Sequence, residues 1–412
     1  MKIKILENEY MLLNKNIFLK LSKVCFLLMI LYLCWYQRVF SPIPGMSIAF
    51  GGLMVYFIVL DIFSRKKSIF EGLTIEIITW AIFIITSISI GLIIAVDKSL
   101  VISLSSVFIQ HLAMMFGMVY ISRMDKTIDY LINSYIIFAT VCALTTICNG
   151  VNVYSDRMSM SMSTNPNALG ITMVVGIFCI LYNMNFKIKY KTYIQCIALC
   201  MYIYTIVLTG SRKSFISASF LIIFWVIFVR KDTIKMNHRT NIIKDIIFYL
   251  IIIIVAGYFF NLVSDYGILD RLENLFVEGD DIRKTMYIEG FEMFKKNPIF
   301  GVGFNNYRIL SSFNKYSHST YIEVLACTGI VGTILYFIPY VTQITKIIKI
   351  SMSNKNFVSK NAKLVGALFL ILLFLATGVI HFYEIESSIV FGIIIAFCNL
   401  KYIDEEEVKE SV

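Results

Sequence analysis

The chain has 412 residues, 58% of them hydrophobic and 16% charged, with a mean hydropathy of +0.77. A soluble domain carries nearer a quarter charged residues, and several apolar runs reach the roughly 20 residues that cross a bilayer, so the composition excludes a soluble protein and indicates a multi-pass membrane protein. The net charge of +10 is scattered in short clusters between apolar runs, which is the pattern of loop charge and not of a nucleic-acid-binding face.

In chain order, Lys2, Lys4, Lys15, Lys20 and Lys23 precede the first apolar run. No small-residue cleavage site follows it, so it reads as a retained span. The expected spans are Ile17–Tyr36, Gly45–Phe63, Leu73–Val96, Leu100–Ile121, Tyr130–Asn149 and Ala168–Met184. They continue with Thr192–Thr209, Ser214–Val229, Ile242–Val263, Tyr321–Ile344, Ala362–His381 and Ser388–Leu400. The fold class is therefore all-α, with about twelve transmembrane helices, because a lone apolar run must satisfy its own backbone in lipid. Residues 1–263 hold the first nine helices, 264–320 form one large extracytoplasmic loop, 321–400 hold the last three helices, and 401–412 are a cytoplasmic tail. The nine cysteines lie in apolar segments without a CxxC, so buried free thiols are expected and no metal site.

The positive-inside rule orients these spans. With both termini cytoplasmic, the inner loops collect Arg65, Lys66 and Lys67, Arg123 and Lys126, Lys187, Lys189 and Lys191, and the Lys346–Lys363 group. The short outer loops keep only Arg38, Lys98, Arg157, Arg212 and Lys213. Two of these cations are adjacent in "TGSRKSF", on the disfavoured side, which reads as an anion site at the outer surface, with an ordinary solvated loop as the alternative.

The outer loop carries two amphipathic patterns. Ile268, Leu269, Leu272, Leu275 and Phe276 follow helical spacing. A second helix begins after Asp280 and Asp281, its N-cap candidates, places Tyr287, Phe291 and Phe294 on one face, and stops near Lys295, Lys296 and Pro298. Both could lie in the headgroup plane. "NPIFGVGFNNY" follows; its GxG lacks the strand–turn–helix context of a nucleotide fold and reads as a tight turn back towards the membrane. Of the four histidines, His111 reads as a helix–helix hydrogen-bonding residue and His238 as solvated. His381 lies near Glu384 and Glu386, and His318 sits at the outer boundary, where it can reach a headgroup or its sugar, with an interfacial residue anchoring a helix end as the alternative. Among the outer arginines Arg157, Arg212, Arg271 and Arg283, Arg271 reads as helix solvation; several arginines together suit a diphosphate, since each offers planar bidentate contacts and a permanent charge.

"TGSRKSF", "IRKTMYIEGFEMFKKNPIFGVGFNNY" and "SHSTYIEVLACTGIVGTILYF", in this order, resemble the O-antigen ligase/polymerase superfamily of bacterial envelope glycosyltransferases, with "RMSMSMSTNPNALG" matching its Arg…NPN segment. The resemblance covers Asn165 to about Phe337. It implies a GT-C-like membrane fold in the bacterial cytoplasmic membrane and a glycosyltransferase needing no metal and no cofactor. The implied partners are a polyprenyl-diphosphate-linked glycan donor, a glycan acceptor and the lipid bilayer, with a chain-length regulator and a flippase as further candidates and no nucleic acid. By motif, His318, Arg212 and Arg283 are the implied catalytic residues, and Arg157, Lys213, Tyr287 and Tyr321 the substrate-binding ones. Three positions depart from the family pattern: Lys213 stands for Gly or Ala, Tyr287 lies near a common Trp, and Ser319 stands for Asn. Polymerisation of lipid-linked repeat units is the favoured activity, with ligase-type transfer to lipid A core, protein or wall as the alternative. A polysaccharide flippase or transporter is the alternative of another class. Transporters carry mid-span charges and related halves, whereas here the candidate groups cluster outside.

Overall fold

A computed structural model describes residues 2–154, 157–162, 164–184, 189–229, 280–352 and 356–410. The expected span Ile242–Val263, the first amphipathic pattern of the outer loop, Arg271 and His238 lie outside the described residues. Among the described residues, ten helices are long and apolar enough to cross a membrane, and Ile385–Leu400 is a shorter apolar helix. The protein is an all-α polytopic membrane protein.

The helices are α1 (Lys2–Leu31), carried on by a π-helical turn to Val39, α2 (Met46–Arg65), α3 (Ile75–Ile94), α4 (Lys98–Asp125) and α5 (Asp129–Asn149). A hairpin of β1 (Val151–Tyr154) and β2 (Arg157–Ser159) follows, antiparallel and irregular between Asn152 and Tyr154; the polar composition of this stretch predicts no strands. Then come α6 (Pro166–Asn183), α7 (Lys189–Thr209), α8 (Arg212–Phe224), α9 (Asp280–Lys296), α10 (Tyr307–Leu310), α11 (Thr320–Ser351), α12 (Asn356–Leu375) and α13 (Ile385–Glu410). By contacts the chain forms two compact units.

The first unit comprises Met1–Ser134, Ile282–Met352 and Leu372–Val412. Its interior holds Trp80, Phe83, Phe108, Phe304, Tyr336, Phe382 and Phe391, with the Trp80 indole N–H donating to the Tyr336 carbonyl at 2.9 Å. Isoleucines such as Ile85, Ile93 and Ile102 face outward, as a lipid-bathed surface requires. At one end of this unit Lys23 pairs with Asp125 at 2.7 Å, Arg65 with Asp61 at 2.8 Å, and Lys346 with Glu76 at 2.9 Å. These bases belong to the cluster assigned to the cytoplasm by charge. His111 meets Ser388 Oγ at 3.0 Å between α4 and α13, the helix–helix bond expected of it.

Helix α11 is broken at Gly329, whose φ of +61° and ψ of −162° no helix contains. A broken helix in a bilayer must find new partners for its backbone, since an unsatisfied group costs several kcal/mol there. The "NPIFGVG" segment supplies them. The N–H groups of Val302 and Gly303 donate to the carbonyls of Ala326 and Cys327 at 3.0 Å each, and those of Ile330 and Val331 donate to Pro298 and Ile299 at 2.9 and 3.2 Å. Glycine is required on both sides of this seam. A Cβ on Gly301 would stand 2.5 Å from the Ala326 carbonyl oxygen, and one on Gly329 would stand 2.4 Å from Ile299. The expected tight turn is therefore a segment docked into a gap in a transmembrane helix.

Helix α9 runs where expected, but its buried face is not the aromatic one. Met286, Gly290 and Met293 face inward, while Phe291 is 45% exposed. Gly290 decides this: a Cβ there would lie 2.4 Å from Ile322, so only the glycine face can approach α11. The Tyr307 hydroxyl donates to the Met286 carbonyl at 2.6 Å, closing a small core of Met293, Val302, Tyr307, Ala326 and Cys327. Helix α12 ends at Leu375, short of the expected His381, because residues 376–381 turn back onto the start of α11. There Thr320 N–H donates to Ala376, Thr320 Oγ1 donates to Val379 at 2.7 Å, and the His381 N–H donates to Thr320 Oγ1 at 3.0 Å.

The second unit comprises Tyr135–Asp281 and Ser353–Ile371. Helix α6 is buried along nearly its whole length and packs Gly176 against Tyr202 of α7. All nine cysteines are free thiols, but Cys148, Cys196 and Cys200 are exposed, contrary to the expectation of burial. They lie on outward faces of spans, where lipid would meet an apolar thiol without penalty.

Candidate functional site

In the first unit the site grows from the start of α11. His318 precedes the helix by two residues and holds a left-handed backbone, φ +57°, which a side chain bearing Cβ adopts at a cost. Several bonds hold the turn. Ser317 N–H donates to Glu323 Oε2 at 2.8 Å, Ser317 Oγ donates to the Ser319 carbonyl at 3.0 Å, and Ser319 N–H donates back to Ser317 Oγ at 3.3 Å. Glu323 is fully buried, one turn into α11. The Tyr383 hydroxyl lies 2.9 Å from both Glu323 Oε1 and Asn305 Oδ1. Asn305 Nδ2 donates to the Leu100 carbonyl at 3.1 Å, Asn306 Nδ2 donates to the Asp97 carbonyl at 3.0 Å, and Asp97 N–H donates to Asn306 Oδ1 at 2.8 Å. The "NNY" stretch thus ties the site to the start of α4.

The His318 ring is half-buried against Tyr316, with ring centroids 4.5 Å apart, and Tyr316 meets the edge of Tyr383 at 5.8 Å. The Arg308 guanidinium stands 5.4 Å from the centre of the Tyr383 ring. Burial first, then the positive charges of Arg283 and Lys315, push the His318 imidazole down from 6.5 to about 4. Histidine at neutral pH is therefore uncharged here, more firmly than its ordinary value would give. Arg283 projects from the first turns of α9 and is half-buried. Tyr287, one turn further, donates its hydroxyl to the Thr377 carbonyl at 3.0 Å, and Tyr321 donates to the Leu373 carbonyl at 3.0 Å while stacking on Phe337. Tyr287 thus braces the returning loop after α12, and Tyr321 the last turn of α12 itself.

The second unit gathers the other candidates. Gly210, φ +58°, turns the chain out of α7, and Ser211 leads into α8, whose first two residues are Arg212 and Lys213. Both are half-buried. Two cations in the first turn oppose the helix dipole, which favours acids there; a basic pair held against that preference suits an anionic ligand. Arg157 on β2 donates from Nε to the Thr209 carbonyl at 2.9 Å and from Nη2 to Asn167 Oδ1 at 2.6 Å. The hairpin, the "NPN" turn and "TGSRKS" are thus one assembly, with Arg157 as its strut. Ser211 and Ser214 share a 2.9 Å hydrogen bond, and a Cβ on Gly170 would stand 2.5 Å from Ser214 Oγ, so α6 and α8 pack closely beneath it.

The structure therefore brings together His318, Arg283, Tyr287 and Tyr321 in one unit, and Arg157, Arg212 and Lys213 in the other. Sequence reasoning missed Glu323, Tyr383, Asn305 and Arg308. One signal was available for Glu323: an acid one turn inside an apolar span is a functional hypothesis by default.

Residues 197–337, roughly a third of the chain, match the family described as O-Antigen ligase. The matched stretch contains "TGSRKSF", helix α9, the docked glycine segment and the His318 turn. The match is consistent with the O-antigen ligase/polymerase superfamily, supports a membrane function of that type, and leaves ligase and polymerase unseparated. No curated protein matches the chain.

Proposed function

With the O-antigen ligase match as premise, we propose that this protein is a membrane glycosyltransferase that polymerises polyprenyl-diphosphate-linked repeat units of a surface polysaccharide on the outer face of the cytoplasmic membrane. The observation that carries the reading is the His318 turn: a neutral imidazole beside the Arg283 charge, at the end of the first unit away from its lysine and arginine cluster. Neutral imidazole accepts the proton of an acceptor sugar hydroxyl. The hydroxyl oxygen then bonds to the anomeric carbon of the donor as the bond from that carbon to the diphosphate oxygen breaks, and the configuration inverts. The polyprenyl diphosphate leaves with the bonding electrons, and Arg283 stabilises the charge that develops on it. Arg212 and Lys213 are assigned to an anionic substrate group on their motif and on their opposition to the helix dipole, with Arg157 holding the turn that presents them.

The depressed His318 value fits this sequence of events. Besides burial, Arg283 and Lys315 lower it in the free protein, and an arriving diphosphate opposes both charges. The negative charge of the diphosphate raises the imidazole back towards its ordinary value, so substrate binding strengthens the base. The test is a deletion strain complemented with Arg283→Ala, His318→Ala or Arg212→Ala. Each variant should insert normally and yield no long-chain surface glycan, and normal chain-length ladders in all three would contradict the assignment. In the deletion strain itself, a single repeat unit on its final acceptor supports polymerase, whereas long lipid-linked chains without an acceptor support ligase.

A further inference from the structure

Resting on that reading, we infer that Glu323 is a positioning residue, whose buried side chain holds His318 in its left-handed turn. The positive φ at His318 is uncommon for a residue bearing a Cβ and carries a cost, which neighbouring bonds offset. One of them comes from outside the turn's own hydroxyl and helix-start bonds: Ser317 N–H to Glu323 Oε2 at 2.8 Å. The other carboxylate oxygen is fixed by the Tyr383 hydroxyl at 2.9 Å, and that hydroxyl also reaches Asn305 Oδ1. Glu323 cannot drift, because it is fully buried and its backbone N–H is itself bonded to the Ser319 carbonyl at 2.9 Å. The loop, the docked segment and the helix start are therefore joined at one side chain. Both of these contacts are hydrogen bonds from neutral donors, so shape and acceptor capacity, more than charge, are what the turn requires.

This last point gives a discriminating variant. Glu323→Gln keeps an oxygen for Ser317 N–H, and its amide can donate to the Tyr383 oxygen while Tyr383 donates to Asn305. Glu323→Ala removes both contacts. The probe is diethyl pyrocarbonate, which acylates neutral imidazole, applied to membranes across a pH series and read at the His318 peptide by mass spectrometry. Arg283, Lys315 and Tyr316 are the groups facing this imidazole. In the wild type and Glu323→Gln the half-point of reactivity should lie near pH 4, and in Glu323→Ala it should move up towards 6.5 as the ring leaves its pocket. Glycan chain extension should fall roughly 100-fold in Glu323→Ala, the scale of a 1 Å misplacement, and stay within a few fold in Glu323→Gln. An unchanged His318 half-point with unchanged extension in Glu323→Ala overturns the inference. Should Glu323→Ala fail to insert, Tyr383→Phe carries the test, since it removes only one hydroxyl; a raised half-point supports the inference and an unchanged one overturns it. If His318→Ala keeps normal chain lengths, the glycosyl-transfer reading fails, while the half-point in Glu323→Ala still decides the positioning role.

Discussion

Helix α11 buries a glutamate contact near each end, and the two are built differently. Towards its C-terminal end, Lys346 Nζ lies 2.9 Å from Glu76 Oε1 and 2.9 Å from Asn399 Oδ1, and Gln343 and Thr342 donate to the same Glu76 oxygen. At its start, Glu323 accepts from a backbone N–H and a tyrosine hydroxyl. The first arrangement neutralises a buried charge and staples α3 to α11. The second relies on neutral donors, with Arg308 stacked over the Tyr383 ring, and uses the glutamate to hold a strained turn. One end of the helix is built for stability, and the other accepts strain at the position where chemistry is proposed.

The sharpest break in this comparison is chemical. His318→Ala and Arg283→Ala should remove long-chain glycan completely at normal protein levels, as read on a surface-glycan gel. The seam between the two ends comes next. Gly329→Ala and Gly301→Ala each place a Cβ within 2.5 Å of backbone atoms, at φ values of +61° and +70°. Both should lower the level of folded protein in membranes, measured by size-exclusion of a fluorescent fusion. Lys346→Met should then cost about 3–5 kcal/mol of stability, the scale of breaking a buried pair, seen as a lower Tm in detergent. Chain length per inserted molecule should not change, which separates this end from the His318 end.

The pH dependence sharpens the same contrast. His318 is held below its unfolded value, so the unfolded chain takes up the proton first as pH falls. Its contribution to stability is present above pH 6.5 and is lost between 6.5 and about 4. In steady-state kinetics the acid limb of kcat/KM should fall near pH 4, and that of kcat should lie higher, because bound diphosphate raises the imidazole. The smallest effect is expected at Lys213. It departs from the family pattern, so Lys213→Gly should leave chain length within a few fold of normal, whereas Arg212→Ala should abolish it.

Much of this was legible in the sequence because lipid enforces a simple rule. Apolar runs must become helices, and the span boundaries follow to within a few residues for helices such as α3 and α5. Helix α9 was legible from its acidic start and its basic, proline-terminated end. Its buried face was not, because amphipathic counting weighs Phe291 above Gly290, whereas close approach to α11 selects the residue with no side chain. The break in α11 was likewise hidden. Gly329 alone signals little, and its meaning depends on "NPIFGVG" bonding across a seam that spans some thirty residues of sequence. Arg212 stood out because its charge opposed its expected side, and Arg283 because its helix resembles a family motif. Glu323 offered one signal, as an acid inside an apolar span, but Tyr383 and Asn305 act by satisfying it and each other, and neither position announces such a network. The end of α12 was misplaced for the same reason, since Thr320 draws residues 376–381 out of the helix.

The most direct measurement is reconstitution of the purified protein in liposomes with the lipid-linked oligosaccharide that accumulates in the deletion strain. Wild-type protein should convert it into a ladder of longer lipid-linked chains with release of polyprenyl diphosphate, and His318→Ala should leave it unchanged. Equal ladders from the wild type and His318→Ala would contradict the account.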